Sequence, residues 1–97
     1  MASPSFEWDP KKNARNLAKH GVDFGTASEV FEDPDCRTLF SRVEGGEERF
    51  VALGMVWSYQ GRFVLVVVYA YRDEKRIIRI ISARKAKEKE RKLYGQP

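Results

Sequence analysis

Residues 76–84 read Arg76-Ile77-Ile78-Arg79-Ile80-Ile81-Ser82-Ala83-Arg84, and this stretch decides how the rest of the chain is laid out. Two isoleucine pairs around one arginine specify a mostly buried strand. A guanidinium cannot shed its charge, so Arg79 requires an anion: a carboxylate such as Glu48 on a neighbouring strand, or a phosphate from outside. Ser82 is a good N-cap, which predicts a final helix from Ala83 to Tyr94 that is dense in lysine and arginine.

Upstream, Arg62 to Tyr71 and Glu48 to Trp57 read as strands separated by Tyr59-Gln60-Gly61, and Asp73-Glu74-Lys75 is the polar turn into the strand Arg76 to Ser82. From Cys36 to Arg42 the period is two, and Gly45-Gly46 closes that run, giving four antiparallel strands. Phe6-Glu7-Trp8 reads as a short strand or anchor. Asp9-Pro10 then opens a helix from Pro10 to His20, capped by Gly21, with Ala14, Leu17 and Ala18 expected inside and Lys12, Asn16, Lys19 and His20 outside. Asp23 caps a second helix from Phe24 to about Phe31, ended by Asp33-Pro34. The expectation is a single α+β domain over 1–97: an N-terminal helical hairpin, a four-stranded antiparallel sheet and a C-terminal basic helix.

Ninety-seven residues with 42% hydrophobic content suit one packed core. The longest apolar run, Phe63 to Ala70, is strand-sized and far short of the roughly 20 residues of a membrane span. No secretory signal is visible near Met1, so the cytoplasm is the expected compartment. Cys36 is the sole cysteine, which excludes an internal disulfide and a cysteine-rich zinc site. The net charge of +4 conceals an asymmetry: residues 72–92 carry ten basic and four acidic side chains, whereas 23–48 carry two basic and eight acidic ones. The first segment suits a polyanion or a salt-bridged solvated helix; the second suits a basic partner.

Several residues, in order and spacing, resemble the BrnT family of bacterial ribonuclease toxins. They are Phe6-Glu7-Trp8-Asp9-Pro10, Asn16, Lys19-His20-Gly21, Phe24, Ala27, Val30-Phe31 and Asp33-Pro34, then Glu48-Arg49 and Gly54, and finally Arg79-Ile80-Ile81-Ser82-Ala83-Arg84 with Ala86, Glu90 and Tyr94. The resemblance implies a RelE-like fold and metal-independent RNA cleavage with no cofactor. It also implies neutralisation by a BrnA-like ribbon-helix-helix antitoxin, in a higher-order complex able to bind operator DNA. Tyr71 departs from the pattern, standing where a small hydroxyl residue is expected before Arg72.

RNA is cut without metal when a base takes the 2′-OH proton, a cation stabilises the phosphorane charge and an acid protonates the leaving oxygen. His20 is the one side chain that titrates near neutrality unperturbed, and it lies at a helix C-terminus; it is an acid–base candidate or a simple cap for the last carbonyls. Arg79 is the first candidate for charge stabilisation, with Arg62 beside it as a further catalytic cation. Lys19, Arg72 and Arg84 are candidates for RNA phosphates, and Tyr71 and Tyr94 for base stacking. Trp57, Tyr59, Phe63 and Tyr69 belong to the same aromatic series, with core packing the stronger expectation for Phe63 and Tyr69. The expected arrangement gathers these guanidinium groups around one phosphodiester. The alternatives are a non-catalytic nucleic-acid-binding module, and a C-terminal helix that docks chiefly on protein.

Overall fold

The computed structural model describes residues 4–58 and 60–95; Tyr59 lies outside them. The strands are β1 (Ser5–Glu7), β2 (Arg37–Glu44), β3 (Glu47–Ser58), β4 (Gly61–Arg72) and β5 (Ile77–Lys85). The helices are α1 (Pro10–His20), α2 (Phe24–Ser28) and α3 (Glu88–Tyr94), with a 3-10 turn at Glu29–Glu32. The strands form one sheet in the order β1-β5-β4-β3-β2. β2 to β5 make the expected antiparallel meander. β1 adds a fifth strand, parallel to β5, so the sheet is mixed rather than wholly antiparallel. Among the described residues no helix is long and apolar enough to cross a membrane.

α1 has the expected bounds and caps: Asp9 accepts from the Lys11 N–H, and Gly21 takes a φ of 72° while donating to the Leu17 carbonyl. Its inward stripe is not the expected one. Leu17 remains 48% exposed, whereas Asn16 is buried. The Asn16 amide donates to the carbonyls of Val22 (2.8 Å) and Ala83 (2.7 Å), and its oxygen accepts from the Ala83 N–H at 3.1 Å. Three hydrogen bonds satisfy a polar group that α1 places against β5.

The helical hairpin is not formed. α2 lasts five residues, capped as expected by Asp23, and yields to the 3-10 turn before Asp33. Both α1 and α2 lie against β5, while the 3-10 turn lies on β3. Gly54 explains the last contact: a Cβ there would come within 2.5 Å of Val30 Cβ, so only glycine lets the turn approach the strand. On this face Phe24, Ala27, Val30, Ala52, Val56, Leu65, Val67, Tyr69, Ile78, Ile80 and Ala83 form the main core.

The predicted helix over 83–94 is also shortened. A register shift between Val68 and Tyr69 lets β5 continue, so Ser82 pairs with Val68 and Lys85 with Leu65 instead of opening a helix. The chain then crosses the opposite face of the sheet. There Ala86 packs with Leu53 and Val66 in a smaller cluster that includes Tyr94.

Candidate functional site

Strand alternation assigns the functional side chains to faces. Ile78 and Ile80 point into the main core, so Arg79 projects from the opposite, open face. Glu7 is its partner in the parallel β1–β5 register, and Ala70 is its partner on β4. Phe50 pairs with Tyr69 at the end of the β3–β4 ladder, so Arg49, the residue before it, lies on the open face near Ala70, and Arg42 pairs with Arg49 on β2. A single transverse row therefore crosses all five strands: Glu7, Arg79, Ala70, Arg49, Arg42. Arg72 projects from the same face, two residues beyond Ala70.

This row holds four guanidiniums and three carboxylates. Arg79 Nη1 lies 2.6 Å from Glu7 Oε2. Glu47 bridges Arg72 and Arg49, and Glu44 lies 3.4 Å from Arg49 and 3.3 Å from Arg42. The Arg49 Nε approaches Glu47 at 3.2 Å but makes no hydrogen bond, so a buried donor stays unspent. The arginine between isoleucines thus has the anion it requires, supplied by Glu7 rather than Glu48. Groups of both signs within contact give this row the parts for proton transfer and for holding phosphate oxygens.

The expected convergence of all candidates on one phosphate is corrected by this geometry. Arg72 and Arg79 share the row, but Arg62 stands at the opposite end of β4, where its guanidinium lies 5.0 Å from the centre of the Trp57 ring. Lys19 and His20 end α1 on the helical side of the sheet, away from the open face. Arg84 is on the open face but is held by α3: its two terminal nitrogens donate to the Glu90 carboxylate at 2.7 and 2.6 Å. Tyr71 points to the helical side, in ring contact with Phe50 and Tyr69. Tyr69 is buried and Phe63 half-buried, as core packing predicts, whereas Trp57 is 68% exposed.

α3 is a short strap across the open face, and its ties are electrostatic. Arg84 holds the Glu90 carboxyl down at about 2, helped by the Lys87 N–H, while the carboxylate raises Arg84. At its other end Tyr94 donates to Asp33 Oδ2 at 2.6 Å, and the same oxygen accepts the Met55 N–H at 2.8 Å. Burial opposes ionisation of Asp33, but these bonds and one from Asp35 outweigh it and hold the carboxyl below its ordinary range. Burial and the neighbouring carboxylate push the Tyr94 phenol up to about 12.

A depressed Glu90 stabilises the fold above its ordinary value of 4.5, and that contribution is lost as pH falls towards 2. Both side chains keep solvent contact, 25% for Glu90 and 35% for Arg84, so the contribution is discounted to about 1–2 kcal/mol. The Glu90→Gln variant is expected to be less stable than the parent by that amount at pH 7, with the gap closing between pH 4.5 and 2. Denaturant titrations across this range check it; a gap independent of pH would refute the assignment.

Sequence reasoning gave no role to Arg49, Glu7 or Glu47. The signal for Arg49 was its place one residue before Phe50, readable only once the register with Ala70 is known. Among the described residues no group of three or more His, Cys, Asp or Glu side chains is placed to hold a metal ion. No individual curated protein matches the chain. The model of the ribonuclease toxin BrnT of type II toxin–antitoxin systems matches residues 8–90, which include Arg79, Ala70, Arg49 and Arg42 of the row. The chain accordingly belongs to the BrnT family of ribonuclease toxins.

Proposed function

We propose that this protein is a metal-independent endoribonuclease that cleaves RNA by attack of the 2′-OH on the adjacent phosphate and thereby stops translation. The observation that carries the reading is the row of arginines and carboxylates on the open face of a BrnT-family chain. Arg79 and Arg49, on either side of Ala70, hold the scissile phosphate and stabilise the charge of its transition state, with Arg72 beside them. Glu7 takes the 2′-OH proton: it has one guanidinium partner, whereas Glu47 has two. The leaving 5′-oxygen takes its proton from water, while the guanidinium groups keep theirs and only stabilise charge.

His20, Lys19, Arg62, Arg84 and Tyr94 then act outside the cleaving row, on the flanking RNA or in holding α3. Neutralisation comes from a ribbon-helix-helix antitoxin that covers the open face, and the acidic segment 23–48 gives a basic partner a surface. Purified protein incubated with RNA in excess EDTA is expected to cut it and to leave 2′,3′-cyclic phosphate ends, detected by mass spectrometry. Absence of cleavage until a divalent metal is added would reject this mechanism.

A further inference from the structure

At the end of the sheet away from the arginine row, the strap α3 leaves a second groove on the open face. Its volume is about 360 Å³, and Met55, Arg62, Val64, Lys85, Ala86 and Arg91 line it. Met55 and Val64 are opposed residues of β3 and β4 and form an apolar floor. Beside it, on the next opposed pair, the Trp57 ring is stacked by the Arg62 guanidinium.

The cations here differ from those of the row. Arg49, Arg72, Arg79 and Arg84 each have a carboxylate in contact. Among the described residues Arg62, Lys85 and Arg91 have none: Arg62 lies on Trp57, Lys85 lies 4.2 Å from the centre of the Phe63 ring, and Arg91 donates to the Ala86 carbonyl at 2.9 Å. Lys85, paired with Leu65, reaches over Phe63 to the helical side, so two cations without a carboxylate in contact, Arg62 and Arg91, stand by the apolar floor and the exposed indole, and an unpaired base with its phosphates satisfies such a set.

We infer that this groove and the Trp57 ring beside it form a second RNA subsite, in which an unpaired base stacks on Trp57 while Arg62 and Arg91 take the flanking phosphates. It deepens the ribonuclease reading and rests on it for the class of ligand. The eight residues from Ala70 to Arg62 along β4 place the groove roughly 26 Å from the arginine row, at about 3.3 Å per residue. Several nucleotides span that distance, so the site selects an extended single strand over a short or paired one.

The test uses the full chain and a fluorescein-labelled 12-mer of 2′-O-methyl adenylate, which has no 2′-OH to attack and reports binding without cleavage. Fluorescence anisotropy is read over a salt series. Trp57→Ala is expected to weaken binding about tenfold with the salt slope unchanged, and Trp57→Phe to recover most of the loss. Arg91→Ala is expected to lower the slope by about 0.7.

Affinity of Trp57→Ala within twofold of the parent, or Trp57→Phe no better than Trp57→Ala, would overturn the subsite. So would a Trp57→Ala chain that keeps its affinity for the 12-mer but no longer binds its antitoxin, since the groove would then serve a protein. Binding that depends on Trp57 in a chain that cuts no RNA would instead refute the nuclease reading and leave this one standing.

Discussion

Arg79→Ala is expected to lower the rate of RNA cleavage by about a hundred- to a thousand-fold while the protein stays folded, the loss typical of removing one donor aimed at transition-state charge. The guanidinium stands next to Glu7 in the row and is 31% exposed, so its removal leaves no sealed cavity. Arg79→Lys should recover only part of the activity, because an ammonium lacks the planar fork that grips two phosphate oxygens. Glu7→Gln keeps the shape of the partner and removes its basicity. It should cost activity in the same direction. Initial rates on a labelled RNA, together with thermal melts, decide the matter. If both variants cleave within threefold of the parent, the pair is a structural tie between β1 and β5 and the row is not the cleaving centre.

Asn16→Ala should produce the largest loss of stability in the molecule, about 3–4 kcal/mol. It strands the Val22 carbonyl and both backbone groups of Ala83 in a buried place, and each unsatisfied group costs about 1–3 kcal/mol. For a domain of this size the melting temperature falls by roughly 12–30 °C. Asn16→Asp separates volume from bonding: it has the same shape, but a carboxylate would face two carbonyl oxygens and cannot donate to either. It should therefore be at least as damaging at neutral pH. A denaturant midpoint near that of the parent for either variant would contradict the pinning role.

The meander from Arg37 to Ser82 was legible because its strands carry their own signals: alternation in β2, the apolar run of β4, and turn residues between them. α1 was legible at its ends and not on its faces. Its caps depend on neighbours two to four residues away, but burial of Asn16 instead of Leu17 depends on Ala83, sixty-seven positions later. Local propensity predicted a helix from Ala83. The pairing of Ala83 with Val67 and Arg84 with Val66 overrode it, since a strand held by a neighbour outweighs a few tenths of a kcal/mol of propensity per residue.

The same division holds at the site. That Arg79 needs an anion follows from its isoleucine neighbours, but the identity of that anion follows from three residues of parallel pairing, too few to leave a pattern. The separation of Arg62 from Arg79 was hidden for a simpler reason: charge counts along the sequence do not record which end of a strand a residue occupies.

Glu7 and Arg79 stand 72 positions apart and meet only across the β1–β5 junction. While the chain is being synthesised, the first member of that pair is therefore exposed long before the second has left the ribosome. Contacts of such range also close late in folding. On the proposed assignment of the row, a half-made chain has no assembled cutting centre, and competence to cleave arises only when the last strand closes the sheet.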